Sequence, residues 1–159
     1  MKTNKIGLPV KESELIVLEL NVLLANFQVY YQNLRGLHWN IRGRRFFDLH
    51  LKFEELYNDS QLKVDVIAER VLTLGGRPLH TFDDYLQFNQ LEIGKDISND
   101  EKAIHLIVNS LAQLLKIERK IAANSSEIHD EGTNSMMSAF IAEQEKTIWM
   151  LQAWLEEEL

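Results

Sequence analysis

LHWNIRGRRFFDLHLKFEEL, residues 37 to 56, closes one helical pattern and opens another. Upstream, apolar side chains recur at Ile16, Leu20, Leu23, Phe27, Tyr31 and Leu34, in steps of three or four. That is the period of an amphipathic helix, here from about Lys11 to about Trp39. His38 continues the steps from Leu34 and is expected to face inward. Gly43 interrupts the pattern. From about Arg45 to Leu74 a second stripe follows through Phe46, Leu49, Phe53, Tyr57, Ser60, Val64, Ile67 and Val71. Gly75, Gly76 and Pro78 form a stop signal.

Residues 77 to 99 form a crossover, in which TFDDYLQF can make a short helix. Ser98 and Glu101 have capping-box spacing and open a third helix that runs to about Ala123. NSSEIHDEGTNS reads as a loop. The fourth helix spans about Asn134 to Glu157, with Met137, Phe140, Ile141, Gln144, Ile148, Leu151 and Leu155 inward. Two helices, a long crossover and two more helices define an all-α, ferritin-like four-helix bundle. Residues 1–10 are expected to be a short flexible tail, and 11–159 a single domain.

The composition agrees. Aliphatic and aromatic residues make up 45% of the 159-residue chain and charged residues 26%, which is globular. No apolar run reaches the roughly 18–20 residues of a membrane span, and no signal-peptide core follows the N-terminus. With no cysteine, thiolate metal sites and disulfides are excluded, a feature compatible with the cytoplasm. A net charge of −7 suits cations better than nucleic acid.

The second helix carries two polar pairs at i, i+4 spacing, His50 with Glu54 and Asp65 with Glu69. Glu54 and Asp65 are 11 residues apart, about three turns, so both pairs share one flank. Along the axis that distance is roughly 16 Å. Metal–ligand bonds are about 2.0–2.2 Å, so one helix cannot offer both pairs to one ion. Either these are unrelated half-sites, or the helix meets an antiparallel copy of itself across a two-fold axis, which builds two equivalent sites. Leu51, Leu62 and Val66 lie opposite the core stripe, as an interface would require. In the second arrangement His38, His50 and Glu54 of one subunit meet Asp65 and Glu69 of its mate. Imidazole and carboxylate without sulfur suit iron, zinc or manganese. The plain alternative makes the histidines satisfied core groups, and Asp65 and Glu69 ion-pair partners of Lys63 or Arg70.

The stretch from LHWNIRG through FFDLH and DVIAER to GGRP resembles the signature of the Dps family of mini-ferritins, and the likeness extends over essentially the whole chain. The resemblance implies a hollow homo-oligomer, a dodecamer, in the cytoplasm. Such a shell oxidises ferrous iron, preferring hydrogen peroxide to dioxygen, and stores the ferric product, with zinc as a possible competitor for the site. It assigns the iron ligands to His38, His50, Glu54, Asp65 and Glu69. Glu54 departs from the aspartate of many members. Trp39 matches a tryptophan beside the centre that can donate electrons. Acidic pores near the start of the last helix point to Asp130 and Glu131, with Glu127 nearby, while Ser126 and Ser135 stand where some relatives have aspartate. Other ferritin-like bundles place Glu-x-x-His motifs inside one bundle, and no histidine here has a glutamate three residues before it. Members that bind DNA use a lysine-rich tail. Here the tail offers Lys2, Lys5 and Lys11 beside Glu12 and Glu14, so a DNA-binding shell with a vestigial metal site is the alternative function.

Overall fold

A computed structural model describes residues 2–159, and among them the regular elements are helices α1 Val10–Asn40, α2 Phe46–Thr73, α3 Phe82–Phe88, α4 Asp100–Glu127 and α5 Glu131–Leu155. Helix α1 packs on α2 and on α4, α4 on α5, and the short α3 lies on α1. The apolar stripes read from the sequence converge. Ile16, Leu20, Leu23, Phe27 and Leu34 meet Phe53, Ile67 and Val71 and the apolar sides of Ile104, Leu114, Ile121 and Met137, all at most 1% exposed. Burying each such side chain contributes roughly 1.5–3 kcal/mol. On α1 one position differs from the stripe: Tyr31 is only partly buried, and Tyr30 takes the core place instead.

The seam between α2 and α5 is closed by long charged side chains. Lys63 Nζ donates to Asp59 at 2.5 Å and to Glu143 at 2.8 Å, and Arg70 donates to Asp130 at 2.5 Å.

The crossover is held by three asparagines of α1, each of which both donates to and accepts from its backbone. Asn21 donates to Arg77 O and accepts from Leu79 N. Asn26 donates to Phe88 O and accepts from Gln90 N. Asn33 donates to Glu92 O and accepts from Gly94 N. An irregular segment against a helix would otherwise bury unpaired peptide groups, which is costly. Asparagine supplies one donor and one acceptor at a single position, so three side chains satisfy six peptide groups.

Boundaries shift where tertiary bonds override local composition. Asn99, rather than Ser98, caps α4 by accepting from Lys102 N at 2.9 Å. Ser98 uses its carbonyl to hold Arg42 N at 3.0 Å, which ties the Gly43 turn to the start of α4. Helix α4 continues through Asn124 and Ser125 to Glu127, and α5 begins at Glu131, so the expected loop contracts to residues 128–130. His129, in the left-handed region at φ 59°, makes that short reversal. At the far end of α2, Gly75 at φ +87° allows the chain to turn back, with Gly75 N and Gly76 N bonded to Leu72 O and Val71 O.

Residues 2–9 differ from a free tail. They fold into a small loop in which Val10 N bonds Lys2 O and the Asn4 side chain accepts from Ile6 N and Leu8 N.

Candidate metal centre

Helix α1 ends and α2 begins on either side of a short turn whose Gly43 sits at φ +117°, a conformation costly for any side chain with a Cβ. The reversal lays the last turn of α1 beside the first turns of α2, and the two histidines lock together there. His38 Nδ1 donates to His50 O at 2.6 Å, and His50 Nδ1 donates to His38 O at 2.7 Å. The rings stack with centroids 3.7 Å apart and 11° between planes. A carbonyl accepts and cannot donate, so both Nδ1 atoms carry the proton. In the neutral ring that arrangement leaves the lone pair on Nε2, the nitrogen that can bind a metal, and backbone carbonyls fix both rings in place.

The surroundings hold the pair further. Phe46 stacks on His50 at 4.8 Å, and Tyr57 stands edge-on to His38 at 5.3 Å. Sequence reading placed both among core positions and missed that they frame the imidazoles. Each lies on the histidine-bearing side of α2, and the Phe46–His50 spacing of four was the available signal.

Glu54, one turn beyond His50, is partly exposed. Asp65 and Glu69 are exposed, farther along α2. The plain reading of these two carboxylates fails on the ion pairs, because Lys63 is taken by Asp59 and Glu143 and Arg70 by Asp130. Among the described residues, Glu54, Asp65 and Glu69 form no ion pair within the chain. Nor do three or more metal-binding side chains of one protomer, among those residues, gather around a common point. The rise along α2 likewise keeps Asp65 and Glu69 away from His50 and Glu54. One protomer thus offers two fixed nitrogens at one end of α2, with Glu54 one turn beyond but not gathered with them, and two unpaired carboxylates at a distance.

The same helix exposes apolar side chains: Leu51 is 60% exposed, Leu62 69% and Val66 43%. Trp39 at the end of α1 is also exposed, with the Arg35 guanidinium 5.6 Å from its ring centre.

The two residues expected at a pore part company. Asp130 is buried at 2% exposure, caps α5 by accepting from Thr133 N at 3.0 Å and binds Arg70. Its carboxylate is fully engaged inside the protomer, which corrects the expectation that it faces a channel. Glu131, the next residue, is exposed.

The chain matches the ferritin-like domain model over residues 17–158. It is 40% identical over 148 residues to a DNA protection during starvation protein of Porphyromonas gingivalis, covering 93% of each chain. Its structure superposes on the crystal structure of a Dps protein from Vibrio cholerae O1, described as a member of a broad superfamily of ferritin-like diiron-carboxylate proteins. That superposition has a TM-score of 0.95, 48% identity and 98% of each chain covered. A Dps protein from Bacillus brevis superposes with a TM-score of 0.89 at 34% identity, covering 98% of this chain and 99% of its own. This chain therefore belongs to the Dps family of ferritin-like proteins.

Proposed function

We propose that the protein is a ferroxidase and iron store whose reaction sites are completed between two copies of the chain. The observation that carries this reading is the interlocked pair His38 and His50, with both Nε2 atoms free, at one end of a helix whose other end holds the unpaired Asp65 and Glu69. An antiparallel copy of α2 brings the two ends together. Each site then has two imidazole nitrogens, Glu54, and the second copy's Asp65 and Glu69. Three carboxylates offset most of the charge of two ferrous ions, the substrate. The exposed Leu51, Leu62 and Val66 lie on the same helix and are buried by the same contact.

Two ferrous ions give two electrons to one hydrogen peroxide. With water, the products are ferric oxyhydroxide and four protons. The chain's residues hold the ions next to each other and keep the imidazoles oriented, and the carboxylates bind ferric product more tightly than ferrous substrate because its charge is higher. Peroxide as favoured oxidant, a twelve-subunit shell that stores the mineral, a role in stress protection and a cytoplasmic setting rest on the family. Zinc, which accepts the same ligands, competes for the site.

Mixing ferrous iron and peroxide without oxygen tests the reading. The wild type consumes both rapidly, whereas His50→Ala and Asp65→Ala each slow the reaction at least tenfold. Equal rates in either variant would remove that residue from the site. DNA binding is the weaker reading. It depends on Lys2, Lys5 and Lys11 against a net charge of −7 per chain, and the loop that pins Lys2 O to Val10 N shortens the tail's reach. A gel shift at low salt that is lost on removing residues 1–9 would establish it.

A further inference from the structure

The centre of the bundle contains a polar group from every long helix. Tyr30 of α1, Lys63 of α2, Glu118 of α4 and Gln144 of α5 are each at most 5% exposed. Such groups are expensive to bury unless hydrogen-bonded. Lys63 is satisfied by Asp59 and Glu143, and its ammonium sits 5.2 Å from the Phe140 ring centre. Glu118 Oε1 accepts from Gln144 Nε2 at 2.6 Å. Three atoms of the cluster have no protein partner: Tyr30 Oη, Glu118 Oε2 and Gln144 Oε1. The Gln144 amide is oriented by its bond to Glu118, because only its nitrogen can donate to a carboxylate oxygen.

A small cavity of about 20 Å³ is lined by Tyr30, Gln144, Asp59, Lys63, Glu143 and Thr147 among others, and Glu118 adjoins it through its bond to Gln144. One water needs about 10–15 Å³ of such space and two to four polar partners. The unpartnered atoms are one donor and two acceptors, and a water's two protons and one lone pair match that set.

We propose that the middle of the bundle is a binding site for a single water molecule, held by Tyr30 Oη, Glu118 Oε2 and Gln144 Oε1. A metal cation is the poorer occupant, although all three atoms are oxygens, because Lys63 already brings a positive charge to the cluster. The water also fits both protonation states of Glu118. With Glu118 ionised, the water accepts from Tyr30 and donates to both other oxygens. With Glu118 protonated on Oε2, it accepts from Tyr30 and Glu118 and donates to Gln144. Burial pushes Glu118 up to about 7, against the pull of Gln144, Lys63 and Arg119. Tyr30 is pushed up as well, first by burial and then by Asp59 and Glu118, so it remains a donor. The groups facing Glu118 are therefore Tyr30 from α1, Lys63 from α2 and Gln144 from α5, with Arg119 on its own helix, while Asp59 and Glu143 bind Lys63. The site holds a water and, toward acid, a proton, within a bundle whose metal chemistry is proposed to lie outside it.

Crystal structures of the assembled wild type and of Tyr30→Phe, at a resolution that shows ordered waters, test this. The wild type should show one density peak within hydrogen-bond distance of the three named atoms. In Tyr30→Phe, which keeps the ring and the fold, the peak should shift away from residue 30 or disappear. Direct bonds among the three side chains with no peak, an anomalous signal from a metal at that point, or an unmoved peak in Tyr30→Phe would each overturn the assignment.

Discussion

Replacing His50 by alanine and by asparagine separates its structural role from its chemical one. Alanine removes the Nδ1 bond to His38 O, worth about 1 kcal/mol net. It also removes the stacking on His38 and Phe46, worth about 0.5–1.5 kcal/mol. The expected loss of stability is therefore about 2 kcal/mol. Asparagine places an N–H close to the position of Nδ1 and can still cap His38 O, but it has nothing at the position of Nε2. Its loss should be about 1 kcal/mol. Both variants should lose metal affinity to a similar extent, because both lack the ligand nitrogen. Urea unfolding at matched protein concentration reads the first effect, since assembly makes stability depend on concentration. Calorimetric titration with zinc, which binds the same ligands without redox chemistry, reads the second. Wild-type zinc affinity in the asparagine variant would show that Nε2 is not a ligand. Unchanged stability in the alanine variant would show that the interlock is only a contact.

Three further outcomes follow from the fold. Asn26→Leu leaves Phe88 O and Gln90 N without partners against α1, and unfolding should show a loss of about 2–5 kcal/mol; a loss below about 1 kcal/mol would mean the crossover is held by other contacts. Asp130→Ala removes the cap on α5 and strands a largely buried Arg70, at about 2–4 kcal/mol in the same measurement, with Asp130→Asn less damaging because it can still cap; equal effects would place the importance in the charge. Glu118 keeps its proton in the folded chain up to pH of about 7, whereas the unfolded chain releases it near 4.5. Between those values the folded state binds more protons, so Glu118 makes stability fall as pH rises, by up to about 1.4 kcal/mol per pH unit, and the effect levels off above about 7. Glu118→Gln should remove that slope, and an unchanged slope would assign it to another group.

The part of this molecule that periodic apolar spacing encodes was legible in the sequence. The stripes through Phe27 and Phe53 located α1 and α2, Gly43 and Gly75 marked their ends, and the i, i+4 pairs on α2 marked the carboxylates. What sequence did not show depends on partners far along the chain. Asn21, Asn26 and Asn33 look like weak helix formers until their bonds to residues 77–94 are seen. Asn124 and Ser125 read as loop, yet Asn124 reaches Glu19 across the bundle and the helix runs on past both. Tyr30 and Tyr31 are adjacent on a helix, and local spacing alone does not decide which one the neighbouring helices enclose. The His38–His50 interlock was hidden for a further reason. Inward direction can be read from spacing, but which imidazole nitrogen is occupied depends on the turn at Gly43 and on the carbonyls it brings within reach.

Co-assembly of two inactive variants tests most directly whether each site is shared between chains. His50→Ala and Asp65→Ala subunits, unfolded together in equal amounts and reassembled, pair at random. In every mixed pair one site carries both substitutions and the other carries neither. About a quarter of all sites are then intact, and peroxide-dependent iron oxidation should recover to about a quarter of the wild-type rate, while each variant reassembled alone stays inactive. No recovery in well-mixed assemblies would mean that the histidines and the acidic pair serve the same site from within one chain, or different sites altogether.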